Sequence, residues 1–336
     1  MNKKNLSLYL NILNERCNNT IPDTDIFPYE LDDFQKHACY KISCDESVLV
    51  CAKTGVGKTV PAIYGIHHNL KKNMKVVYTT PIKSLSNQKY KELSEKFSSV
   101  GIMTGDIKFN PTAQCIIMTT EILRNILYNG NTNNNDICID EISCVIFDEV
   151  HYINNVDRGI VWEECMILLP TRITMILLSA TIDKPEDFAS WLGDLKKKPI
   201  NLITKNKRII PLTHYYYNED QLIEIADNDG NFKNYDMLKK IYKIVQVNKL
   251  LNPFVKYLQD NELLPCLFFV FSRNNCERYC KIITQHLITT EESCLVDKIF
   301  NQKLYKFKHL YEKTPQYVEI RSLLLRGICY HHSGVV

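Results

Sequence analysis

The chain has 336 residues, 45% hydrophobic and 24% charged, with a formal net charge of +3. These values indicate a soluble globular protein long enough for two domains. No segment approaches the roughly 18 apolar residues of a membrane span, so a membrane partner is excluded. The weak positive charge neither requires nor excludes nucleic acid, because a basic groove can lie on a near-neutral protein.

The cysteine pattern indicates an intracellular protein. The chain has 13 cysteines, an odd number, and they are scattered, which favours reduced thiols over a disulfide framework. Cys276 and Cys280 could share one helix face, but no second close pair accompanies them, so we do not predict a metal site there. For Cys329, His331 and His332 we favour roles in the core or in backbone contacts.

The first half of the sequence alternates apolar strands with amphipathic helices. The predicted strands are residues 48–51, 76–79, 115–118, 144–147 and 175–178, with helices at 83–97 and 121–128 among the intervening segments. Nearly all-apolar strands alternating with helices predict an α/β fold with a doubly wound parallel sheet covered on both faces. The polar residues 129–137 are expected to form a flexible loop without chemistry of its own.

A turn rich in small residues follows the first of these strands, in "AKTGVGKT". Its phosphate-binding candidates are Thr54, Gly55, Val56, Gly57, Lys58 and Thr59. Glycines let backbone N–H groups converge on phosphate oxygens, and the next helix points its N-terminus at the same place. Lys58 would reach the β- and γ-phosphates of ATP, and Thr59 would ligate Mg²⁺. The general pattern has glycine where this chain has Ala52.

Two later strands end in polar residues that fit the same site. "CVIFDEVH" supplies Asp148 to hold Mg²⁺, Glu149 to orient the attacking water, and His151. "LLSAT" supplies Ser179 and Thr181, which could bond His151 and report the γ-phosphate. Taken alone, the two acids could be a solvated loop and the Ser-Ala-Thr sequence a plain strand end.

The second half of the chain is less regular. Residues 195–221 are polar and basic, and their lysine run is expected to be a solvated connector. We place the end of the first domain near Lys207, expect a turn at residues 227–232, and expect a new strand at residues 266–271.

The phosphate loop, DEVH and SAT, in this order, resemble superfamily 2 helicases. "FPYELDDFQKHA", "YTTPIKSLSNQKYKEL", "GIMTGD", "VIFDEVHYINNVDRGIVWEE" and "LLRGICYHHSG" resemble the superkiller and exosome-cofactor DExH branch, over roughly residues 27 to 336. This resemblance implies two RecA-like domains, ATP and Mg²⁺ as cofactors, and 3′-to-5′ movement on single-stranded RNA. It implies an N-terminal extension (1–26), a first RecA-like domain (27–207), an interdomain segment (208–262) and a partial second RecA-like domain (263–336).

The resemblance also implies roles for individual residues. Gln35 would make two hydrogen bonds to the adenine edge. Tyr29 would stack on the base, with Phe27 as a rival and a core role for Tyr29 as the alternative. A further set of residues would contact the sugar–phosphate backbone of a nucleic-acid strand. In the first domain they are Pro81, Lys83, Ser84, Gly105, Asp106, Thr120 and Glu121, and in the second domain they are Ser272, Arg273, His332 and Ser333.

The chain also departs from the family pattern. Members of the branch continue past "HHSG" with a motif that supplies arginines to the γ-phosphate, so we expect residues 1–336 alone to hydrolyse ATP weakly. A second polypeptide carrying the later motifs is one hypothetical partner. Two alternatives stay open: a DNA helicase of the same branch, and a non-catalytic fragment that binds nucleotide or nucleic acid.

Overall fold

The computed structural model describes residues 7–130, 137–218, 221–234 and 247–335. The chain forms two compact units, Met1–Pro211 and Leu212–Val336. The division falls close to the predicted end of the first domain near Lys207. The finer division of the second unit into an interdomain segment and a partial RecA-like domain stays a prediction.

The first unit is built on a nine-stranded sheet. Its strands are β1 (Leu10–Ile12), β2 (Ser47–Ala52), β3 (Lys75–Thr80), β4 (Val100–Met103), β5 (Lys108–Phe109), β6 (Cys115–Thr119), β7 (Ile142–Phe147), β8 (Thr174–Ser179) and β9 (Ile200–Lys205). They lie in the order β1-β9-β2-β8-β7-β3-β6-β4-β5, and every pairing is parallel except that of β4 with β5. All five predicted strands are present in this sheet.

Helices cover both faces of the sheet, as the doubly wound prediction requires. They are α1 (Asp33–Ser43), α2 (Thr59–Lys71), α3 (Lys83–Ser94), α4 (Thr120–Asn129), α5 (Gly159–Leu168) and α6 (Pro185–Lys196). Successive strand residues point to opposite faces, so Leu49 packs in one core cluster while Val48 and Val50 pack in the other. The predicted α/β fold class is confirmed, and both faces of the central strands are buried.

Strand β9 corrects the prediction of a solvated connector. Residues Ile200, Leu202 and Ile203 are fully buried, and β9 pairs in parallel with β2 along its whole length. The flanking lysines and prolines hide this short apolar run in the sequence, where it reads as part of a charged stretch. The segment therefore belongs to the sheet, where β9 lies between β1 and β2.

The lysine run before β9 holds a second correction. Lys196 is only 5% exposed, and its ammonium donates hydrogen bonds to the backbone oxygens of Ile167 (3.2 Å) and Leu169 (2.5 Å). These carbonyls lie at the C-terminal end of α5, where a helix leaves its last C=O groups without partners. Burial lowers the pKa of Lys196 to about 8. Lys197 and Lys198 are exposed, as expected for a solvated run.

The second unit combines a hairpin with helices. The hairpin is β10 (His214–Asn218) with β11 (Gln221–Ala226), and the helices are α7 (Val247–Asp260), α8 (Arg273–Ile282), α9 (Thr290–Leu304), α10 (Lys308–Tyr311) and α11 (Pro315–Leu324). A small core of the unit contains Leu251, Val255, Ile283 and Leu323. The predicted turn at 227–232 is present, because the Asp227 carboxylate accepts the backbone N–H groups of Asp229 and Asn231.

The strand predicted at residues 266–271 is absent from the described part of the second unit. The segment is not hydrogen-bonded into a sheet, and its apolar side chains are open to solvent, with Phe269 78% exposed. A strand needs a neighbouring strand to pair with, and the sequence run alone does not supply one. The predicted loop at 129–137 falls mostly on residues 131–136, outside the described residues.

Two further features bear on the sequence predictions. Within the described ranges, no helix combines the length and the apolar character needed to cross a bilayer. In the second unit the Cys280 thiol donates to the Cys329 carbonyl (3.6 Å), and His332 pairs with Glu277 (2.9 Å). Cys329 and His332 thus take part in backbone contacts, as favoured from the sequence, since His332 also accepts the Gly334 N–H (3.1 Å); the contact of His332 with a carboxylate was not predicted.

Lys196→Met is expected to lower the free energy of unfolding by about 1–3 kcal/mol. Methionine keeps most of the apolar stem but leaves the two carbonyls at the end of α5 without their donor. Urea unfolding followed by circular dichroism measures the change. Lys198→Met, at an exposed position of the same run, is the control and should stay within about 0.5 kcal/mol of wild type. Equal stabilities for the two variants would contradict the capping role.

Candidate functional site

The predicted ATP-site residues lie at the carboxyl edge of the sheet in the first unit. Strands β2, β8 and β7 are consecutive neighbours, and all three run in the same direction. The segments after Ala52, Ser179 and Phe147 therefore emerge side by side. This is the edge at which open α/β sheets bind their ligands.

The phosphate loop joins β2 to α2 through two glycines with left-handed backbone. Gly55 and Gly57 both have φ of 87°, a region that other residues adopt only with strain. A Cβ on Gly57 would lie 2.6 Å from Nε2 of Gln35, whereas a Cβ on Gly55 would meet nothing within 4 Å. The loop then opens α2, so the free N–H groups of the first turn at Thr59 face the same edge.

Lys58 and Glu149 face each other across the site. The Lys58 ammonium lies 4.0 Å from Oε2 of Glu149. Burial lowers the pKa of Lys58, and the nearby Glu149 and Asp148 carboxylates oppose that shift. Glu149 itself has φ 54° and ψ 48°, a strained left-handed conformation. The strand end is therefore bent so that Asp148 and Glu149 leave β7 in different directions.

Asp148 is held in place by a residue that the sequence did not single out. The Tyr78 hydroxyl donates to Oδ2 of Asp148 (2.7 Å), and the Glu149 N–H donates to Oδ1 (3.0 Å). Burial, together with the adjacent Asp148 charge, raises the pKa of Tyr78 well above its usual value. Tyr78 therefore keeps its proton and remains a donor. Its role follows from β3 lying beside β7, which local motifs do not reveal.

Four of the predicted residues bring buried polar atoms to this edge that have no hydrogen-bond partner. They are Nζ of Lys58, Oε2 of Glu149, Nδ1 of His151 and Oγ of Ser179. His151 Nδ1 lies 3.4 Å from Glu149 Oε2, too far for a good hydrogen bond. An unpaired buried polar group typically costs about 1–3 kcal/mol, so several on the ends of adjacent strands indicate a site shaped for a polar ligand.

These residues have the chemistry to bind a nucleoside triphosphate with Mg²⁺. A lysine and a helix N-terminus supply positive charge for phosphates, while Asp148 and the Thr59 hydroxyl are the oxygen ligands that Mg²⁺ prefers. Thr54 and Thr181 are exposed and Val56 is buried, and the roles of these three residues in the site stay predictions.

The adenine prediction stays untested by the cleft beside Tyr29, because the residues that line this cleft include neither Gln35 nor the phosphate loop. The cleft of about 400 Å³ next to α1 is lined by Tyr29, Phe27, Cys17 and Lys36, among others. Phe27 is 9% exposed and belongs to the core, whereas Tyr29 is 55% exposed with its ring centroid 6.0 Å from that of Phe27. Of the two rivals, Tyr29 is the ring that is free to stack.

Gln35 has an internal role that the sequence did not reveal. Its Oε1 accepts the N–H of Asp32 (2.9 Å), which completes a capping box at the start of α1, and its Nε2 donates to the Gly57 carbonyl (3.2 Å). One N–H and one lone pair of the amide remain, which is the pair that an adenine edge needs. Gln35 thus connects α1 to the phosphate loop whether or not it reads a base.

Two of the residues predicted to contact nucleic acid, Lys83 and Asp106, form an ion pair with each other. Lys83 lies 2.5 Å from Asp106, with both side chains more than half exposed, and Gly105 packs beside the Lys83 ammonium. Ser84 is exposed and Pro81 is buried. A phosphate approaching Lys83 would have to compete with Asp106.

The prediction for Thr120 and Glu121 rests on the free N–H groups at the start of α4, and the side chains of both residues have partners within the first unit. Thr120 is fully buried and its hydroxyl donates to the Thr80 carbonyl (3.3 Å), so it is not placed to contact a strand. The Glu121 carboxylate is bound by the Arg158 guanidinium. What remains available at this point is the set of free N–H groups in the first turn of α4.

The second unit brings its four predicted residues together. Ser272 caps α8 by accepting the Asn275 N–H (3.4 Å), and Arg273 opens the same helix. The Arg273 guanidinium lies near the turn at Gly334, where His332 accepts the Gly334 N–H (3.1 Å). Ser333 is exposed. The contact of these four residues with a nucleic-acid strand stays a prediction.

Comparison with known proteins agrees with this site. A model of the DEAD/DEAH box helicase family matches residues 32–188, a range that contains the phosphate loop, DEVH and SAT. Residues 32–188 therefore form a DEAD/DEAH box helicase domain. The chain's resemblance to the superkiller and exosome-cofactor branch is confirmed by the relatives that it matches.

Three curated relatives show how similar the chain is to known helicases. It is 40% identical to an uncharacterized helicase of Schizosaccharomyces pombe, covering 94% of this chain and 32% of the relative. It is 38% identical to the exosome RNA helicase MTR4 of Homo sapiens (92% and 31%), and 36% identical to the human superkiller complex protein 2 (92% and 27%). The chain therefore spans about a third of the length of the curated relatives it matches.

A solved structure supports the fold. The DUF1998 helicase MrfA, crystallised bound to DNA, matches 75% of this helicase chain and 36% of its own, with a TM-score of 0.51 and 18% identity. At this identity the likeness supports the helicase fold only.

Gly57→Ala is expected to destabilise the first unit more than Gly55→Ala. Both substitutions introduce the same backbone strain, but only the methyl group at Gly57 meets the Gln35 amide, at 2.6 Å. Thermal unfolding of the two variants measures the difference, which we place at about 1–3 kcal/mol. In a Gln35→Ala background the two glycine variants should become equally destabilising. A Gly57 penalty that persists in that background would contradict the contact.

Proposed function

We propose that the chain is the ATP-binding part of an ATP-dependent RNA helicase of the DExH type. The single observation that carries this proposal is the convergence of buried, unpartnered polar atoms from Lys58, Glu149, His151 and Ser179 on the carboxyl edge of the sheet. A triphosphate together with its attacking water would satisfy these atoms: phosphate oxygens accept hydrogen bonds from Lys58 and Ser179, and the water donates to the Glu149 carboxylate.

Each residue has a distinct task in this proposal. Lys58 neutralises the β- and γ-phosphates, and the α2 N-terminus adds its free N–H groups. Asp148, oriented by Tyr78, and Thr59 hold Mg²⁺, which when bound neutralises phosphate charge and fixes the phosphate geometry. Glu149 orients and polarises the attacking water from its bent backbone position.

His151 and Ser179 are the proposed reporters of nucleotide state. Their unpaired atoms lie beside Glu149 and at the end of β8, so a ligand there would change the partners of both. Tyr29 is the proposed stacking ring for adenine, and Gln35 offers its remaining N–H and lone pair to the base edge. An adenine preference therefore accompanies the proposal.

Single-stranded RNA is the proposed nucleic acid. Two relatives at 36–38% identity are named as an exosome RNA helicase and a superkiller complex protein, which favours RNA over DNA. Candidate contacts are Lys83, Ser84 and the amides that open α4, with Ser272, Arg273, His332 and Ser333 in the second unit. DNA is the second candidate, since the strand contacts considered are to the backbone.

Hydrolysis coupled to 3′-to-5′ translocation is proposed for an enzyme of the relatives' full length, of which this chain covers about a third. For residues 1–336 alone we propose nucleotide and RNA binding with slow turnover. A separate polypeptide that supplies an arginine to the γ-phosphate would raise that turnover by about 10³ to 10⁵.

Lys58→Ala is expected to weaken Mg·ATP binding about ten- to a hundredfold. The substitution removes a charge-assisted contact typically worth about 1.5–3 kcal/mol. Isothermal titration calorimetry on residues 1–336 measures it. Lys75→Ala is the matched control, because Lys75 pairs with Glu141 at the opposite edge of the same sheet. Equal affinities for the wild type and the Lys58 variant would reject the assignment of the phosphate site.

RNA binding is expected to weaken with salt, with a slope of about −0.7 in log–log terms for each phosphate contacted. Lys83→Ala should make the slope shallower by about one contact. Asp106→Asn should tighten binding at low salt, because it releases Lys83 from its ion pair. Fluorescence anisotropy with RNA and DNA oligomers of one sequence measures all three proteins. A flat salt response would contradict backbone tracking, and equal affinity for DNA would favour the second candidate.

A further inference from the structure

Arg158 joins two loops that the sequence assigned separately to strand binding. Its Nη2 donates to the Pro81 carbonyl (2.6 Å), just after β3, and its Nε donates to the Glu121 carboxylate (3.0 Å), in the first turn of α4. Nη2 also contacts the same carboxylate oxygen. One guanidinium thus fixes the spacing between the end of β3 and the start of α4.

The other end of Arg158 is tied to the segment that follows DEVH. Its N–H donates to the Asn155 side chain (3.0 Å), and the guanidinium lies 6.0 Å from the Trp162 ring centroid. Trp162 stacks on Tyr152 at 6.0 Å, and Tyr152 lies 5.4 Å from His151. A chain of packed rings therefore leads from the nucleotide edge to Arg158.

The turn that carries Arg158 has little room to move. A Cβ on Gly159 would lie 2.1 Å from the Ile153 carbonyl, so only glycine fits, and the Gly159 N–H donates to the Asn155 carbonyl (2.8 Å). The α5 start is thereby packed against the short helical turn Val150–Asn154 that carries His151. Arg158 projects from a rigid base.

The contacts of Arg158 argue against a direct role as a phosphate ligand. Its Nε and Nη2 donors are directed to a carboxylate and a carbonyl, and its side chain is 36% exposed beside a Glu121 side chain that is 31% exposed. Without Arg158, Glu121 would present an uncompensated negative charge at the N-terminus of α4, where a phosphate is expected to bind. The pair therefore removes a repulsive charge and fixes two loops at once.

We propose that Arg158 is a positioning residue for the nucleic-acid strand: it holds the Pro81 loop and the α4 N-terminus at the spacing of the strand backbone and neutralises Glu121. The inference rests on the proposed function, since it concerns the same RNA. It assigns to Arg158 no contact with RNA or nucleotide. Lysine should not replace arginine here, because an ammonium cannot reproduce the planar fork that reaches both partners.

The test compares RNA and Mg·ATP affinities of residues 1–336 carrying Arg158→Ala, Arg158→Lys or Arg158→Gln. We expect Arg158→Ala to weaken RNA binding at least tenfold, with Mg·ATP affinity within twofold of wild type. Arg158→Lys should recover little of the loss. Adding Glu121→Gln to Arg158→Ala should recover part of it, because the unpaired carboxylate is removed. If the alanine variant does not fold, Arg158→Gln should shift RNA affinity in the same direction.

Arg172 provides a matched control in the same unit. It also donates to a carbonyl, that of Ile139 (2.7 Å), and to a carboxylate, that of Asp140 (2.9 Å). These residues precede β7 and β8, so this second arginine brace lies at the amino edge of the sheet, away from the site. Arg172→Ala should leave RNA affinity within twofold of wild type.

The salt dependence separates positioning from direct contact. A positioning residue should lower RNA affinity and leave the log–log salt slope at the wild-type value, whereas loss of a phosphate ligand makes the slope shallower. A shallower slope for Arg158→Ala, or full recovery by Arg158→Lys, would overturn the inference. If the wild type binds RNA and Arg158→Ala binds it equally well, the inference about Arg158 is wrong and the proposed function is unaffected. Absence of RNA binding by wild type would overturn the proposed function as well.

Discussion

The structure depends most on how a lysine ammonium is kept buried at the end of a central strand. Lys58 faces Glu149 at 4.0 Å without a hydrogen bond, an arrangement that costs free energy in the absence of a ligand. The fold sustains it because β2 is buried on both faces and pairs with β8 and β9. The left-handed backbone of Glu149 and of the two phosphate-loop glycines places polar groups at the same edge of the sheet as the Lys58 ammonium.

Local sequence was sufficient to identify the phosphate loop and DEVH and to predict five of the nine strands, while the binding of ATP by these motifs stays a proposal. The phosphate loop and DEVH are contiguous, and five apolar runs identified five strands, because a strand buried on both faces is apolar throughout. Strand β9 was missed because lysines flank its short apolar run. Tyr78, Arg158 and the bond from Gln35 to Gly57 were missed for another reason: these partners lie 22 to 77 positions away. Such contacts follow from strand order, which no local motif encodes.

The strand-binding residues show why residue type is a weaker guide than placement. Lys83 has the chemistry of a phosphate ligand, yet it is paired with Asp106, and Thr120 directs its hydroxyl to a backbone carbonyl. Several of the residues predicted from the resemblance make contacts within the first unit that shape its loops, and their contact with nucleic acid stays a prediction. The groups left for a phosphate are then largely backbone N–H groups at helix starts, which suits an enzyme that does not read sequence.

Arg158 and Arg172 make similar contacts in the first unit, so comparing them separates an effect on stability from an effect on function. Both join a carbonyl to a carboxylate, so local energetics do not distinguish them. They differ in the edge of the sheet that they hold. Arg172 closes the amino edge, where the structure places no predicted site residue of the first unit. Arg158 closes the carboxyl edge, between the segment after DEVH and two loops expected to meet the strand. Because parallel strands bring both proposed ligand sites to that edge, we expect a functional consequence only for the brace that lies there.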